Sequence, residues 1–143
     1  MFPALFSIRD TLISPGTVLA PMAGVTDTVF RRMIRGLGGC GLIMTEFTSA
    51  ECITRNSART SRYLAFEPDE HPITGQLFGA DPDVMGRAAD MVEELGFDIV
   101  DVNLGCPARK VIKCGGSGLL RDLKSLEQVL RAVRDAVRIP MTI

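Results

Sequence analysis

Residues 98–111 have the sequence DIVDVNLGCPARKV, and this stretch decides how the fold is interpreted. The apolar run 99–103 predicts a short buried strand, and the glycine and proline on either side of Cys106 predict a turn directly after it. A structural cysteine normally lies within an apolar run, whereas this turn lifts the thiol out of the sheet. The segment therefore predicts a strand with a working group at its carboxyl end.

Similar units occur on both sides of this stretch. Further short apolar strands are predicted at residues 17–22, 41–47 and 73–79, and a fifth strand opens at Ile139. Between them lie three amphipathic helices. The first helix ends at Gly38 and Gly39 and has an apolar face of Val29, Phe30, Met33, Ile34 and Leu37. The second helix begins at Asp81 and ends at Gly96. The third helix has a capping box of Ser125 and Gln128 and a buried face of Leu126, Val129, Leu130, Val133 and Val137. This alternation predicts right-handed βαβ units and a parallel sheet covered by helices.

Two architectures fit such units, an open doubly wound sheet and a (β/α)₈ barrel. No Gly-x-Gly-x-x-Gly follows the first predicted strand, which argues against a dinucleotide-binding open sheet. The distinctive polar residues instead follow successive strands, as barrel enzymes arrange their sites. A whole barrel needs about 250 residues, so the 143 residues present hold four units and the start of a fifth strand. We therefore expect about the first half of a TIM-type barrel, with unpaired edges that invite a homodimer of two half-barrels.

Composition limits the classes of function. The apolar fraction of 46% indicates a globular domain, and the net charge of −1 provides no general attraction for a polyanion. An RNA partner would need a local patch such as Arg55, Arg59 and Arg62, which could equally be solvated loop arginines. Four cysteines without a Cys-x-x-Cys pair, and one histidine, argue against a structural metal. Neither a secretory signal nor a membrane span is apparent, so we expect a cytoplasmic protein.

The chemistry of Cys106 has two interpretations. A nucleophilic cysteine needs a base, and His71 belongs to a different strand–helix connection, so a cysteine protease is disfavoured. The alternative is a proton donor, because a thiol is mostly protonated at neutral pH and can protonate a developing carbanion. Lys110 could polarise the substrate or could simply be a solvent-exposed lysine.

Two residues with side-chain amides, Gln76 and Asn103, lie at matching places late in their predicted strands. Asn103 could bind the imide edge of a planar base such as uracil, and Gln76 could bond a flavin ring in the same way. Both could instead be satisfied polar groups in the barrel mouth. Residues 115–118, GGSG, lack the continuation of a phosphate-binding P-loop. We expect them to form a mobile loop that closes over substrate, with an ordinary turn as the alternative.

Taken in order, six segments resemble the tRNA-dihydrouridine synthases. They are LAPMAGVTD at 19–27, Thr45 with Glu46, GQLFG at 75–79, DVNLGCP at 101–107, Lys110 with Val111, and GSGLL at 116–120. Each is weak alone, but together they cover nearly the whole chain. The resemblance implies a (β/α)₈ barrel that uses FMN, recharged by NADPH, to reduce particular uridines of tRNA to 5,6-dihydrouridine.

The resemblance also assigns residues. It implies that Pro21, Met22 and Ala23 touch the flavin and that Gln76 bonds its ring. On the substrate side it implies that Asn103 holds the target uracil and that Cys106 protonates it on the face opposite the incoming hydride. The target base must first leave its stack to reach the flavin.

The same resemblance implies that residues 1–143 form only the amino-terminal part of the FMN-binding catalytic domain. A lysine just past the start of strand five, a histidine on the next strand, the flavin-phosphate site and a C-terminal helical tRNA-binding domain are expected beyond Ile143. We therefore expect these 143 residues alone to bind FMN weakly or not at all and to be inactive; stoichiometric FMN retention would contradict this.

Two other functions remain open from the sequence. One is a flavin-dependent barrel acting on a free pyrimidine, such as a dihydroorotate or dihydropyrimidine dehydrogenase, although the motifs at 21–27 and 103–110 favour the tRNA enzyme. The other is a catalytically silent half-barrel that serves as an RNA-binding or assembly module. RNA binding and stable dimerisation of a native short chain would support the second.

Overall fold

A computed structural model describes residues 4–55 and 62–143. The chain starts with an antiparallel hairpin of strands β1 (Phe6–Ile8) and β2 (Thr11–Ile13). Six short strands follow: β3 (Val18–Leu19), β4 (Leu42–Met44), β5 (Thr48–Ser49), β6 (Ile73–Phe78), β7 (Ile99–Val102) and β8 (Met141–Thr142). The α-helices are α1 (Thr28–Leu37), α2 (Ala50–Thr54), α3 (Pro82–Glu94), α4 (Arg109–Ile112) and α5 (Leu123–Ala136), with 3₁₀ turns at Pro68–Glu70 and Gly116–Arg121.

The six strands form one parallel sheet. Its order is β3-β4-β6-β7-β8, and β5 continues the line of β4 by pairing with the far end of β6. Helices α1, α3 and α5 each connect one neighbouring strand to the next. This confirms the predicted parallel α/β architecture, with strands ordered as in the first part of a (β/α)₈ barrel. The first strand is shorter than the predicted 17–22, because Pro21 has no N–H to donate to a ladder.

The main core lies between the sheet and helices α3 and α5. Alternate residues of β6 and β7 face it, among them Leu77, Val100 and Val102, all fully buried. From the helices it receives Met85, Ala88, Ala89 and Val92 of α3 and Val129 and Val133 of α5. The predicted buried face of α5 is confirmed at Val129, Val133 and Val137. That of α3, predicted as Val84, Ala88, Met91, Val92 and Leu95, is only partly confirmed, since Ala88 and Val92 are buried and Leu95 is 52% exposed. Because one side of each strand is committed to this core, Gln76 and Asp101 face the opposite side.

The hairpin was not predicted from the sequence. It packs Ile13 against Leu42 and Ile99, the first residues of β4 and β7. The hairpin therefore covers the amino ends of the strands. A site built at the carboxyl ends lies at the opposite end of the sheet, as in barrel enzymes.

Helix α1 differs from its prediction. Its ends are as expected, since the Asp27 carboxylate accepts from the Phe30 N–H at 2.9 Å and Gly38 ends the helix. The predicted apolar face, however, is largely exposed within the described chain: Val29 is 73% and Leu37 77% exposed. The buried side chain is Arg31, at 2% exposure. Polar bonds rather than apolar packing therefore attach this helix to its neighbours.

The cap of α5 also needs correction. Its N-cap is Asp122, whose carboxylate accepts from the backbone N–H groups of Lys124 and Ser125, so Ser125 lies inside the first turn instead of capping the helix. The Ser125 hydroxyl also donates to Asp122 at 2.6 Å. That bond is the main reason why the pKa of Asp122 lies below its ordinary value. The Asp122 carboxylate caps the helix instead of Ser125, because aspartate is as good an N-cap residue as serine. The Ser125 and Gln128 pattern alone did not predict this.

Both edges of the described sheet carry a strand with a single neighbour, β3 at one side and β8 at the other. Association of two copies through these edges stays a prediction. Across residues 4–55 and 62–143, no helix has the length and apolar character needed to cross a bilayer.

Candidate active site

A row of polar side chains crosses the carboxyl ends of three neighbouring strands. The sheet register places Gln76 of β6 opposite Asp101 of β7, and Asp101 opposite Thr142 of β8. Gln76 is 5% and Asp101 6% exposed. Because buried polar groups must find partners, these residues are held in one network.

Every bond of this network has a defined donor. Asp101 Oδ2 accepts from Gln76 Nε2 at 2.6 Å, and its Oδ1 accepts from Thr142 Oγ1 at 2.5 Å. Gln76 Oε1 accepts from Asn103 Nδ2 at 3.1 Å, and Asn103 Oδ1 accepts from the backbone N–H of Cys106 at 3.1 Å. The backbone N–H of Gln76 donates to Thr45 Oγ1 at 3.2 Å, which adds the end of β4. The two predicted amides and the thiol segment therefore form one hydrogen-bonded unit.

The glycine-rich segment 115–118 contacts the backbone of Cys106. Ser117 Oγ donates to the Cys106 carbonyl at 2.8 Å. Gly115 has a φ of +139°, and a Cβ there would lie 2.6 Å from the backbone of Gly79. The segment continues as the 3₁₀ turn Gly116–Arg121, packed against the end of α4. This close backbone packing favours the alternative expectation of an ordinary turn, here one that contacts the thiol segment; closure of the segment over substrate stays a prediction.

The loop after β3 contains the predicted flavin contacts. Thr26 Oγ1 accepts from the Met22 N–H at 3.0 Å, and the Gly24 N–H donates to Glu46 Oε2 at 2.6 Å. Met22 remains 39% exposed. An open cavity of about 600 Å³ adjoins the loop. Its lining consists of Ala23, Gly24, Asp27, Glu46, Arg62 and Tyr63.

A buried ion pair between Arg31 and Glu70 holds the end of the same loop. Arg31 Nε lies 2.7 Å from Glu70 Oε2, and Arg31 Nη1 donates to the Thr26 carbonyl at 2.9 Å. Glu70 Oε1 also accepts from Thr28 Oγ1 at 2.6 Å. Helix α1 is thereby joined to the segment before β6, and the bond to Thr26 holds the end of the loop after β3.

Lys110 lies apart from the cavity at the loop after β3. It lines a second cavity of about 410 Å³, together with the end of β6, the start of α3 and Cys114. Lys110 is exposed on helix α4, close in sequence to Cys106 but on the side of the second cavity. The structure therefore brings Gln76, Asn103 and Cys106 together and places Lys110 beside them in a separate depression.

His71 lies at the far end of the sheet from Cys106. It precedes β6, and its Nδ1 lies 2.7 Å from Asp98 Oδ2 just before β7. Cys106 follows β7, which runs parallel to β6, so the two residues lie at opposite ends of the sheet. This strengthens the argument against a Cys–His nucleophile.

The predicted basic patch is only partly described. Arg55 forms an exposed pair with Glu51 at 3.3 Å, and Arg62 lines the cavity at the loop after β3. Arg59 lies outside the described residues. Within residues 4–55 and 62–143, no group of three or more histidine, cysteine, aspartate or glutamate side chains is placed to hold a metal ion.

Sequence reasoning missed three members of the site. Asp101 was identified only as part of a motif, Glu46 only as a polar residue after a strand, and Thr142 only as part of a strand. The signal for Asp101 was present, because strand alternation puts residues 101 and 103 on the same face. Thr142 became visible only through its register with Asp101.

Comparisons with known proteins agree with this arrangement. The family model Dihydrouridine synthase (Dus) matches residues 18–143. The chain is 41% identical over 127 residues to tRNA-dihydrouridine synthase B of Pseudomonas aeruginosa, covering 88% of this chain and 38% of that protein. It is 40% identical over 139 residues to tRNA-dihydrouridine synthase B of Pseudomonas putida, covering 96% of this chain and 40% of that protein.

A more distant relative gives the same result. The chain is 35% identical over 142 residues to a probable tRNA-dihydrouridine synthase of Rickettsia prowazekii, covering 97% of this chain and 43% of that protein. The chain thus spans about two fifths of the length of the curated relatives it matches. The match nevertheless includes every strand of the parallel sheet and the whole hydrogen-bonded unit around Cys106, and on this basis the chain belongs to the dihydrouridine synthase family.

Proposed function

We propose that this chain supplies the strand-end chemistry of an enzyme that reduces uridines of tRNA to 5,6-dihydrouridine. The observation that carries the proposal is the chain of bonds from Gln76 through Asn103 to the Cys106 backbone. It links the two amides to the backbone of the thiol-bearing residue in one hydrogen-bonded unit at the carboxyl ends of the strands. Relatives named for this activity support the assignment of substrate.

The residues present fit FMN as a cofactor. Gln76 Nε2 uses one hydrogen for Asp101 and keeps a second with no partner among the described residues, so it can donate to a ring acceptor. Met22 and Ala23 are exposed and Pro21 is partly exposed, and the adjoining cavity of about 600 Å³, which Ala23 helps to line, is within the range of cofactor sites. Reduced FMN would supply a hydride, and NADPH would restore it.

In this proposal the protein's own groups hold the base and deliver a proton. The second N–H of the Asn103 side chain donates to a carbonyl of the uracil ring. The Cys106 S–H protonates the ring carbon next to the one that receives the hydride, so that the C=C bond becomes a C–C single bond and each of its carbons gains one C–H bond. The thiolate that remains takes a proton from solvent. Lys110 contacts the substrate from the neighbouring cavity, where a cation suits the tRNA backbone.

The decisive test compares the wild-type protein at full length with Cys106→Ala. Both are reduced with NADPH and given unmodified tRNA, and dihydrouridine is measured together with flavin reoxidation. Loss of a general acid typically lowers the rate about 10²–10⁴-fold, and we expect a loss of that size. Cys40→Ala is the matched control, because Cys40 bonds the Leu42 carbonyl near the amino end of β4.

Each alternative has its own outcome. If the wild type forms no dihydrouridine in tRNA but reduces a free pyrimidine, the small-molecule reductase is correct. If it binds tRNA, retains no flavin and reduces neither, the silent binding module is correct. Equal activity of Cys106→Ala and wild type would remove the thiol from the proposed chemistry while leaving the substrate assignment intact.

A further inference from the structure

Asp101 is a buried carboxylate whose role the proposed chemistry does not use. It accepts hydrogen bonds from a neutral amide and a neutral hydroxyl, those of Gln76 and Thr142. Among the described residues, no ion pair joins it to an arginine, lysine or histidine. Burying a charge without a cation is costly. Its presence in this row of strand ends therefore requires an explanation.

The hydrogen-bonding capacity of each group supplies that explanation. An ionised carboxylate can only accept, so Gln76 must turn its NH₂ group toward Asp101. Gln76 Oε1 then faces Asn103, which must in turn present Nδ2. At the other end of the row the Cys106 backbone N–H can only donate, so it also holds Asn103 Oδ1 toward itself. We propose, on the basis of the proposed function, that Asp101 is a positioning residue that, together with this backbone N–H, sets the orientation of both site amides and thereby makes the site a hydrogen-bond donor.

The orientation determines what the site can recognise. With both amides turned as described, Gln76 Nε2 and Asn103 Nδ2 each keep one N–H without a partner among the described residues. Two N–H donors suit ligands that present carbonyl oxygens or ring nitrogens as acceptors, as pyrimidine and flavin rings do. In the opposite orientation the same side chains would present acceptors and would repel those atoms.

A purely structural role explains the carboxylate less well. Asparagine at position 101 would have the same shape and could also bond both Gln76 and Thr142, without the cost of a buried charge. What it could not do is impose one direction, because an amide can either donate or accept toward Gln76. The carboxylate is therefore best explained by the direction that it imposes on its neighbours.

The test uses Asp101→Asn in the protein at full length, with Asp98→Asn as matched control. Asp98 lies just before β7 and accepts from the Ile73 N–H, away from the row. The first measurement is the ¹H–¹⁵N spectrum of the side-chain amides of Gln76 and Asn103. We expect Asp101→Asn to shift or double the NH₂ pair of Gln76, to change that of Asn103 less because the Cys106 N–H also holds it, and Asp98→Asn to leave both pairs unchanged. The second measurement is FMN affinity by fluorescence titration, for which we expect at least tenfold weaker binding in Asp101→Asn.

Two further variants separate direction from packing. Thr142→Val removes one bond to Asp101 but keeps the acceptor-only carboxylate, so both amide pairs should stay near their wild-type positions. The double variant Gln76→Glu/Asp101→Asn moves the carboxylate to position 76, where it still accepts from Asn103. The Asn103 signals should then return to their wild-type positions while FMN binding stays weak. These two variants also decide the matter if Asp101→Asn alone does not fold.

The outcomes distinguish this inference from the proposed function. If wild type binds FMN and Asp101→Asn binds it equally well with unchanged amide signals, the inference is overturned and the proposed function stands. If wild type does not bind FMN, the proposed cofactor is wrong, and the amide spectra alone decide whether Asp101 sets the orientation. Shifted or doubled amide signals in Thr142→Val would show that packing around residue 142, and not the Asp101 carboxylate, fixes the orientation of the amides.

Discussion

Glu70 and Asp101 are both buried carboxylates, and the protein treats them differently. Glu70 is fully buried and paired with Arg31 at 2.7 Å. It also accepts from the Thr28 hydroxyl and the Glu67 N–H, at 2.6 and 2.9 Å. Asp101 is 6% exposed and bonds only uncharged donors. The first carboxylate is compensated in charge, and the second is only hydrogen-bonded.

The partners of each carboxylate show what it is for. Those of Glu70 belong to helix α1 and to the segment before β6, so the pair joins two parts of the fold. Those of Asp101 are side chains of the candidate active site. If Asp101 positions the site amides as proposed, the compensated buried charge of Glu70 serves the structure and the uncompensated one of Asp101 serves the site. This leads to different predictions for the stability of variants at the two positions.

The largest effect on stability is expected at Glu70. Glu70→Gln leaves the buried Arg31 guanidinium without its counter-ion, and removing one partner of a buried pair typically costs about 3–5 kcal/mol. We expect a loss of that size in the free energy of unfolding, measured by urea titration. Asp69→Asn is the control, because Asp69 belongs to the neighbouring Arg32 pair, in which both side chains are at least half exposed. That variant should unfold at nearly the wild-type midpoint.

An equal loss of unfolding free energy in Glu70→Gln and Asp69→Asn would contradict the comparison, since burial would then not change how much an ion pair contributes to stability. A loss confined to Glu70→Gln would support it. The folded fraction of Glu70→Gln should keep the hydrogen bonds of the network around Cys106, although its flavin affinity should also fall, because the pair holds the end of the loop after β3 through the Thr26 carbonyl.

A smaller effect on stability is expected at Asp101. Asp101→Asn keeps the volume of the side chain and leaves Gln76 and Thr142 with a partner, and it removes an uncompensated buried charge. We expect the unfolding free energy without cofactor to stay within about 1 kcal/mol of wild type, measured by the same urea titration. A loss as large as that of Glu70→Gln would show that Asp101 is a structural group after all.

The two carboxylates also show how far the sequence predicts the structure. The strand and helix order was predictable, because short apolar runs and amphipathic periods follow from local rules. That Gln76, Asn103 and Cys106 lie near the carboxyl ends of strands was also predictable, because each lies late in an apolar run or directly after one. Neither the Arg31 pair nor the bonds of Asp101 were predictable, since they join residues 25 to 41 positions apart. The exposed apolar face of α1 was missed for a related reason, as periodicity identifies a stripe but not the element that covers it.

The smallest effect is expected at an exposed carboxylate, Asp122, which completes the comparison. Its pKa is lowered in the folded state, mainly by the hydrogen bond from Ser125. A lowered pKa means that the stabilisation is fully present above the ordinary value and is lost as the pH falls through the folded one. Asp122→Asn keeps a good N-cap residue but does not titrate. We therefore expect wild type to melt above Asp122→Asn at neutral pH and the difference in Tm to shrink with acidification. Parallel curves would contradict the assignment, whereas Ser125→Ala should move the wild-type loss to higher pH, because the bond that lowers the pKa is gone.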